Sequence, residues 1–513
     1  MKIKIHLNCP NIKIGYDGKI ESLGNQSKLP KLPLFEIDLD LIYMAYKMFP
    51  NDETNPFAQI YKFLEKYINK NKPPKTYENI DDKPDAMPAN GHDIYNYVAR
   101  FGIANYQIQT VLELDGKLDY EKLRQAVRLS VDAAPVFGCR FVENEPPYWK
   151  RLENLDNTPF CSFEETAKAD DAILRFLEAP LDMDKDPMVK LKLIRSHSYD
   201  TLCIKVNHAC TDGTGTKEYI CLLSEIYNTI ENNEIFTPHP VKRSRNDQDR
   251  LFRELGIEDP DTAWDGSLDI PQTLWSFPWH TGKPHIARVA SCKLPEGYID
   301  QMYKYGKLNC ATINDILLTA YYRAMFEMSQ PEPGIPMDIS ITVDLRRYLP
   351  DKKTEDIRCF SGGLNTKLPK VLNEPFSGTL ARVVSMTSEI KKGTPGLQSA
   401  VGLERVEKAK FHETVPFYQA AGQCLGYLDK CSPVLSNLGF LDKSLYKFGS
   451  RHVIDAYVVP PAVSAPGVLI CIGTYNEVIT IATSYYSNQV DSDVIDTLLK
   501  LIKKELLEGC RIE

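Results

Sequence analysis

The 513-residue sequence has no long apolar run, no C-x-x-C pair and no segment that resembles a secretory leader. Its most apolar stretch, residues 458–472, is interrupted by three prolines and a glycine. No stretch approaches the ~20 residues of a membrane-spanning helix, so we expect no membrane span. Residues 1–6 alternate like a strand and contain no hydrophobic core of a signal peptide, so secretion is not indicated.

The cysteines do not form a recognisable framework. There are 13 of them, an odd number, and they are scattered along the chain. This usage is typical of reduced thiols rather than of a disulfide-stabilised secreted domain. We therefore expect a cytoplasmic protein whose cysteines, Cys210 included, are mostly small core residues.

Basic residues are not in excess. The 61 Lys and Arg are outnumbered by 69 Asp and Glu, which gives a net charge of −8. The one short basic run, residues 242–245, is followed at once by Asp247 and Asp249. We expect no nucleic-acid partner, and the mild acidity favours solubility without indicating a substrate.

The length predicts more than one domain, because 513 residues exceed what a single compact core holds. Strands and helices alternate in both halves without an internal repeat, which predicts an α/β protein with two lobes. Proline-rich and polar stretches supply the boundaries. The predicted division is an N-terminal extension (residues 1–70), a linker (71–92), a first lobe (93–236), a crossover (237–286) and a second lobe (287–513). The three tryptophans of the crossover are best interpreted as anchors that pack it onto the surface.

Residues 206–213, Val-Asn-His-Ala-Cys-Thr-Asp-Gly, are the most informative segment. Alternation over residues 202–206 predicts a strand, Asp212 and Gly213 predict a turn, and residues 216–229 predict a helix. His208, at the end of a strand, is well placed for proton transfer. Two other interpretations remain open: a structural histidine, and a fragment of a metal site. No second pair of closely spaced ligands supports a metal, so we expect none.

Further elements follow from periodicity and capping signals. Thr312 and Asp315 have the spacing of a capping box at a helix start. The N-terminal extension shows strand patterns at residues 3–5 and 12–14 and helical patterns at 37–49 and 56–68. The two lobes show strand patterns at residues 106–114, 136–142, 188–194, 201–206, 339–343, 468–472 and 478–483, and helical patterns at 119–131, 216–229 and 492–507.

Six segments, taken in order, resemble the chloramphenicol acetyltransferase/condensation-domain superfamily, which includes alcohol acetyltransferases, BAHD acyltransferases and peptide-synthetase condensation domains. Asn207 to Gly213 resembles its HHxxxDG motif, with Asn207 in place of the first histidine. One such match is weak, but six in the family's order are specific. The resemblance covers roughly residue 93 to the C-terminus, and residues 1–90 have no recognised counterpart. The other segments are residues 114–123, 134–141, 311–318, 343–346 and 436–439.

The resemblance implies two chloramphenicol-acetyltransferase-like lobes that form a pseudo-dimer around a tunnel, with His208 midway as general base. It implies an acyltransferase that moves an acyl group from a thioester to an alcohol or amine. The thioester, acyl-CoA or an acyl carrier protein, would be a co-substrate and not a bound cofactor. The alternatives are a freestanding condensation domain that uses a carrier protein, and a non-catalytic binding scaffold. We expect a monomer; the acyl chain and the acceptor are not specified by the sequence.

The resemblance and the chemistry of the reaction indicate the supporting residues. The resemblance implies that Asp212 turns away from the tunnel and pairs with Arg346 of the second lobe; Asp344, Arg347 and Arg358 are nearby competitors in sequence. The Gly213 N–H is a candidate donor to the oxyanion of the tetrahedral intermediate. Ser436 and Asn437 could approach that oxyanion from the second lobe, or could make ordinary strand-end hydrogen bonds.

Overall fold

The computed structural model describes residues 85–511 except 198, 239–246, 265–274, 413, 416–430, 432 and 444–445, together with four short N-terminal strands. These are β1 (Lys2–Ile5), β2 (Ile12–Ile14), β3 (Ile20–Ser22) and β4 (Phe35–Asp38). β1 pairs with β4 and β2 with β3, so the two predicted N-terminal strands are confirmed. The predicted helix over residues 37–49 is wrong at its first two residues, because these lie in β4. The rest of that helix, and the predicted helix over residues 56–68, lie outside the described residues.

The first large sheet is formed mainly by residues 107–207. Its strands are β6 (Gln107–Leu114), β9 (Cys161–Glu165), β10 (Val189–Ser196), β11 (Tyr199–Asn207), β16 (Lys447–Phe448) and β17 (Arg451–Val459). Their order is β16-β17-β6-β11-β10-β9. β17 pairs antiparallel with β6. The first sheet therefore contains a strand from residues 287–513, which the sequence assigns to the second lobe.

Helices cover both faces of the first sheet. They are α2 (Tyr120–Ala133) and α4 (Gly213–Glu231) on one face and α3 (Ala169–Glu178) on the other. Because side chains alternate along β11, Leu202, Ile204 and Val206 join the core beneath α2 and α4. Cys203 belongs to the smaller core beneath α3. The sheet therefore has two different environments, a large apolar one and a smaller one that also holds buried polar groups.

The second large sheet belongs to residues 287–486. Its strands are β12 (Ala287–Lys293), β13 (Pro336–Asp344), β14 (Ser361–Pro369), β15 (Pro433–Phe440), β18 (Val468–Tyr475) and β19 (Val478–Tyr486). Their order is β12-β19-β18-β15-β13-β14. Its helices are α6 (Tyr298–Leu308), α7 (Ile313–Ser329), α8 (Phe376–Lys391) and α10 (Ser492–Gly509). The predicted capping box of α7, Thr312 with Asp315, is confirmed. The two sheets with their helices confirm the predicted α/β two-lobed fold.

Residues 85–92, predicted to be part of a linker, are instead folded into the first lobe. β5 (Ala86–Pro88) joins β8 (Tyr148–Arg151) and β7 (Cys139–Val142) in a small sheet. α1 (Gly91–Val98) follows, with Asn90 and Asp93 as its capping box. The prolines misled the prediction because β5 is an edge strand, where a missing N–H is tolerated.

The described part of the crossover packs onto the second lobe, and it includes α5 (Asp247–Glu254). Trp275 is fully buried, and its Nε1 donates a hydrogen bond to the Asp338 carbonyl at 2.6 Å. Trp264 lies beneath the guanidinium of Arg405, which is on α9 (Leu397–Lys408). These contacts agree with the interpretation of the tryptophans as anchors. None of the helices in the described ranges combines the length and the apolar character that a membrane crossing requires.

Candidate functional site

His208 lies in the short connection between β11 and α4. Its backbone N–H donates to the Tyr106 carbonyl at 2.7 Å, and its ring lies 5.8 Å from the Tyr106 ring. Tyr106 has a φ of 46°, an uncommon backbone conformation for a bulky residue. Such conformations concentrate at functional sites, where the surrounding structure holds them in place. The imidazole is thus positioned by the ends of two neighbouring strands.

The His208 ring is poised to accept a proton. Burial lowers the pKa of His208 below its ordinary value of 6.5, although hydrogen bonds to the backbone of His208 and Thr211 and the charge of Asp212 oppose this shift. The imidazole is therefore mostly neutral at pH 7. A neutral imidazole within reach of a hydroxyl or amine is the form that works as a general base.

A thiol from the second lobe faces the ring. Cys359 Sγ lies 3.9 Å from His208 Nδ1, and Asn96 Nδ2 of α1 donates to the same sulfur at 3.2 Å. Burial raises the pKa of Cys359 to about 12, so the group is a neutral thiol and not a nucleophilic thiolate. The sequence prediction missed both residues. Neither lies in a recognisable motif, and Asn96 belongs to a helix that only the fold brings to this place.

Asp212 and Arg346 form the ion pair that the resemblance predicts. Arg346 Nη1 lies 2.8 Å from Asp212 Oδ2, and both side chains are buried. The N–H groups of Gly215 and Phe360 donate to the same carboxylate at 2.8 and 2.7 Å. Both carboxylate oxygens are thus engaged away from the His208 ring. The predicted contact is confirmed, and it joins the start of α4 to the second lobe.

The charge state of Asp212 follows from these contacts. Burial alone would raise the pKa of Asp212, but the charge and hydrogen bond of Arg346 and the two backbone N–H groups outweigh it. The pKa of Asp212 is therefore held below its ordinary 3.8, and the carboxylate is ionised at neutral pH. Arg346 also contacts Asp344 Oδ1 at 3.2 Å and donates to the Arg358 carbonyl at 2.8 Å. The guanidinium thus holds three segments together.

Gly213 is the first residue of α4, and the second lobe packs directly on it. A Cβ at this position would lie 2.3 Å from Leu438 Cδ2, so a side chain would require Leu438 to move. Lys217, one turn later, donates through Nζ to the Leu438 carbonyl at 2.9 Å. The glycine therefore permits close approach of the lobes. Its role as an oxyanion donor stays a prediction.

Ser436 and Asn437 lie near the end of β15, where the pairing with β18 becomes irregular. Ser436 Oγ accepts a hydrogen bond from Thr342 at 3.2 Å. Asn437 donates to Asn314 Oδ1 at 3.4 Å and accepts from the Gly439 N–H at 3.0 Å. These are the strand-end hydrogen bonds of the alternative interpretation, and an oxyanion role for either residue stays a prediction.

His92 is a further buried histidine close to this site. It lies on α1, and its ring centroid is 5.6 Å from that of Phe360. Burial lowers the pKa of His92 to about 4; the charge of Asp212 opposes the shift, while Arg358 and Arg346 add to it. The ring is neutral at physiological pH. The sequence does not identify His92 as a site residue, because it predicts a linker over residues 71–92.

The described residues form a site suited to acid–base chemistry. The ranges that the structure describes contain no group of three or more His, Cys, Asp or Glu side chains that could hold a metal ion. The described residues place the neutral imidazole of His208 between a strand of the first sheet and Cys359. Cys359 comes two residues before β14 of the second sheet. An ion pair on the adjoining helix end fixes the loop that carries it.

Comparisons with known proteins bear on the family and the fold. Residues 102–335 match the family model of the condensation domain. Surfactin synthase subunit 1 from Bacillus subtilis (strain 168) is 23% identical over 222 residues, which are 42% of this chain and 6% of that protein. The chain therefore spans only a small part of that relative.

Solved structures share the fold over most of the chain. The TRI3 trichothecene 15-O-acetyltransferase from Fusarium sporotrichioides has a TM-score of 0.63 at 13% identity, over 83% of this chain and 95% of that chain. The first condensation domain of the CDA synthetase has a TM-score of 0.58 at 16% identity, over 84% and 98% of the two chains. The predicted resemblance to the chloramphenicol acetyltransferase/condensation-domain superfamily is confirmed, and the fold is that of condensation domains.

Proposed function

We propose that this protein is an acyltransferase that moves an acyl group from acyl-CoA to an alcohol or amine, with His208 as general base. The observation that carries the proposal is the neutral, partly buried imidazole beside an Asp212 carboxylate that is engaged by Arg346. This division of roles leaves the histidine free for substrate. The carboxylate serves to fix the loop.

The proposed reaction needs one proton acceptor. The acceptor oxygen or nitrogen bonds to the thioester carbonyl carbon while its proton moves to His208. Because Nδ1 faces Cys359, Nε2 is the nitrogen left for this transfer. Collapse of the tetrahedral intermediate breaks the C–S bond, and the proton passes to the departing thiolate. General base catalysis of this kind contributes ~10²–10⁴-fold in rate.

The intermediate carries a negative oxygen that needs donors. The N–H of Gly213, in the first turn of α4, lies at the positive end of the helix dipole and is the candidate. Ser436 is hydrogen-bonded to Thr342, and Asn437 to Asn314. Ser436 or Asn437 would therefore have to give up a hydrogen bond before it could donate to the oxyanion. We therefore assign the main stabilisation to the helix end.

A second candidate function is a freestanding condensation domain that takes its acyl group from a carrier protein. It is favoured by the family match over residues 102–335 and by the similarity to a surfactin synthase subunit. Asn207, where the motif has its first histidine, separates this chain from the usual form of that motif. The similarity of fold to an O-acetyltransferase favours the first candidate.

The test is release of free thiol from a panel of acyl-CoA donors in the presence of alcohols and amines. Calorimetric titration with CoA accompanies it. CoA binding with acceptor-dependent thiol release supports the first candidate. Transfer only from an acyl group on a carrier protein, without CoA binding, supports the second. If no donor supports transfer, the result favours the third alternative, a non-catalytic binding scaffold. His452→Ala, at an exposed position, is the matched control for His208→Ala.

A further inference from the structure

A separate cleft lies on the face of the first sheet that α3 covers. Its volume is about 220 Å³, and its apolar wall is formed by Phe176, Ala179 and Pro180. Four cationic side chains and one hydroxyl also line it: Arg175, Lys190, Lys192, Lys205 and Ser162. None of these belongs to the site around His208. The cleft is smaller than the ~300–1,000 Å³ of pockets that hold drug-sized ligands, so a small ligand is indicated.

The cations outnumber the carboxylates around the cleft. Glu164 contacts Arg175 at 2.7 Å and also forms an ion pair with Lys192. Asp186 lies 2.9 Å from Lys190. Among the residues that the structure describes, no carboxylate lies within ion-pair distance of Lys205. When Lys205 is protonated, four positive groups therefore face two negative ones.

Lys205 is the most constrained of the four. It is only 2% exposed, and its Nζ donates to the carbonyls of Phe176, at 2.6 Å, and Ala179. These bonds cap the end of α3, where the helix dipole attracts a cation only weakly. Removing an ammonium from water without a full counter-charge costs more free energy than this attraction returns. Capping alone therefore does not compensate a charged Lys205, and a bound anion would supply the missing counter-charge.

We propose that this cleft is a binding site for a small phosphate-type dianion, with Lys190, Lys192 and Lys205 as its charged contacts. A dianion would balance the two excess positive charges that the cleft carries when Lys205 is protonated. Lysine binds phosphate oxygens as a point charge, and the apolar wall beside it lowers the local dielectric and strengthens the attraction. This site is independent of the proposed acyl transfer, because it shares no residue with it.

The first test is calorimetric titration of the full chain with inorganic phosphate at constant ionic strength. We expect saturable binding whose Kd rises tenfold or more in Lys190→Gln and in Lys205→Met. Lys304→Gln, which removes an exposed positive charge elsewhere, should bind as the wild type does. Lys190→Gln leaves the cap of α3 intact, so it keeps the test valid if Lys205→Met fails to fold. No saturable binding, or equal binding by Lys190→Gln, would overturn the proposal.

The second test is proton uptake on binding of sulfate, a dianion that does not itself titrate near pH 8. Burial is the main cause that lowers the pKa of Lys205 to about 7, and the charge of Lys190 adds to it. The charge of Asp186 opposes the shift. A bound dianion should raise that pKa, so at pH 8 binding should take up protons. The other groups that face Lys205 from neighbouring elements are Arg175, Lys192, Glu164 and Cys203. Binding heats in two buffers of different ionisation enthalpy measure the uptake; its absence would contradict Lys205 as a contact.

Discussion

Asp212→Ala should destabilise the protein strongly, because it removes a buried carboxylate that three groups share. Arg346 and the N–H groups of Gly215 and Phe360 lose their acceptor, and the Gly215 bond is also the N-terminal cap of α4. Breaking one side of a buried ion pair costs about 3–5 kcal/mol. Arg346 keeps Asp344 at 3.2 Å and the Arg358 carbonyl at 2.8 Å, which places the expected loss near the lower limit, about 3 kcal/mol.

Asp119→Ala is the matched control. Asp119 caps α2 by accepting hydrogen bonds from the N–H groups of Glu121 and Lys122 at 2.9 and 3.2 Å. It is exposed, and no buried cation in the described part of the chain pairs with it. Loss of such a cap costs about 1 kcal/mol. Urea unfolding at pH 7 should therefore give a midpoint well below that of the control. Both the midpoint and the m-value are compared, because a two-lobed chain need not unfold in one step.

The pH dependence provides a second readout with a defined sign. The folded pKa of Asp212 lies below its ordinary value, so its contribution to stability is present above the unfolded pKa. It is lost as the pH falls through the folded pKa. The stability difference between wild type and Asp212→Ala should thus shrink in acid. If Asp212→Ala loses no more stability than Asp119→Ala at pH 7, the ion pair does not hold the two lobes together as argued.

Further outcomes follow from the same geometry. Because burial lowers the pKa of His208 below 6.5, kcat/KM should be flat from pH 7 to 8 and fall only below pH 6.5; a fall that begins above pH 7 would contradict a neutral base. Gly213→Ala should cost roughly 1–3 kcal/mol through contact with Leu438, and Leu438→Ala in the same chain should recover most of it in thermal unfolding. A chain that begins near Asp85 should fold and keep its activity; folding with complete loss of activity would show that the N-terminal extension supplies a catalytic group.

The local motifs could be predicted because their information is contiguous in sequence. The strand, turn and helix around His208 and the capping box at Thr312 depend on residues within a few positions of each other. Residues 136–142, predicted as one strand, instead begin with a short 3-10 turn at Pro135 and become a strand only at Cys139. Pro135 fixes the backbone φ at the start of the turn, and this local constraint outweighs the strand preference of the alternating apolar residues.

The rest depends on contacts between distant parts of the chain. β17 completes the first sheet although it follows most of the second one, and no local pattern specifies its partner β6. Asn96 and Cys359 are 263 residues apart, and their contact beside His208 arises only when α1 meets the second lobe. The pairing of Asp212 with Arg346 was accessible only through the family resemblance, because 134 residues separate them.

The most direct test of the central claim is the turnover of His208→Ala, measured as acceptor-dependent release of thiol from the best acyl-CoA donor. The variant should keep the unfolding midpoint of the wild type and lose ~10²-fold or more in kcat, with His452→Ala unchanged. A His208→Ala protein that turns over at the wild-type rate would contradict the assignment of His208 as the general base.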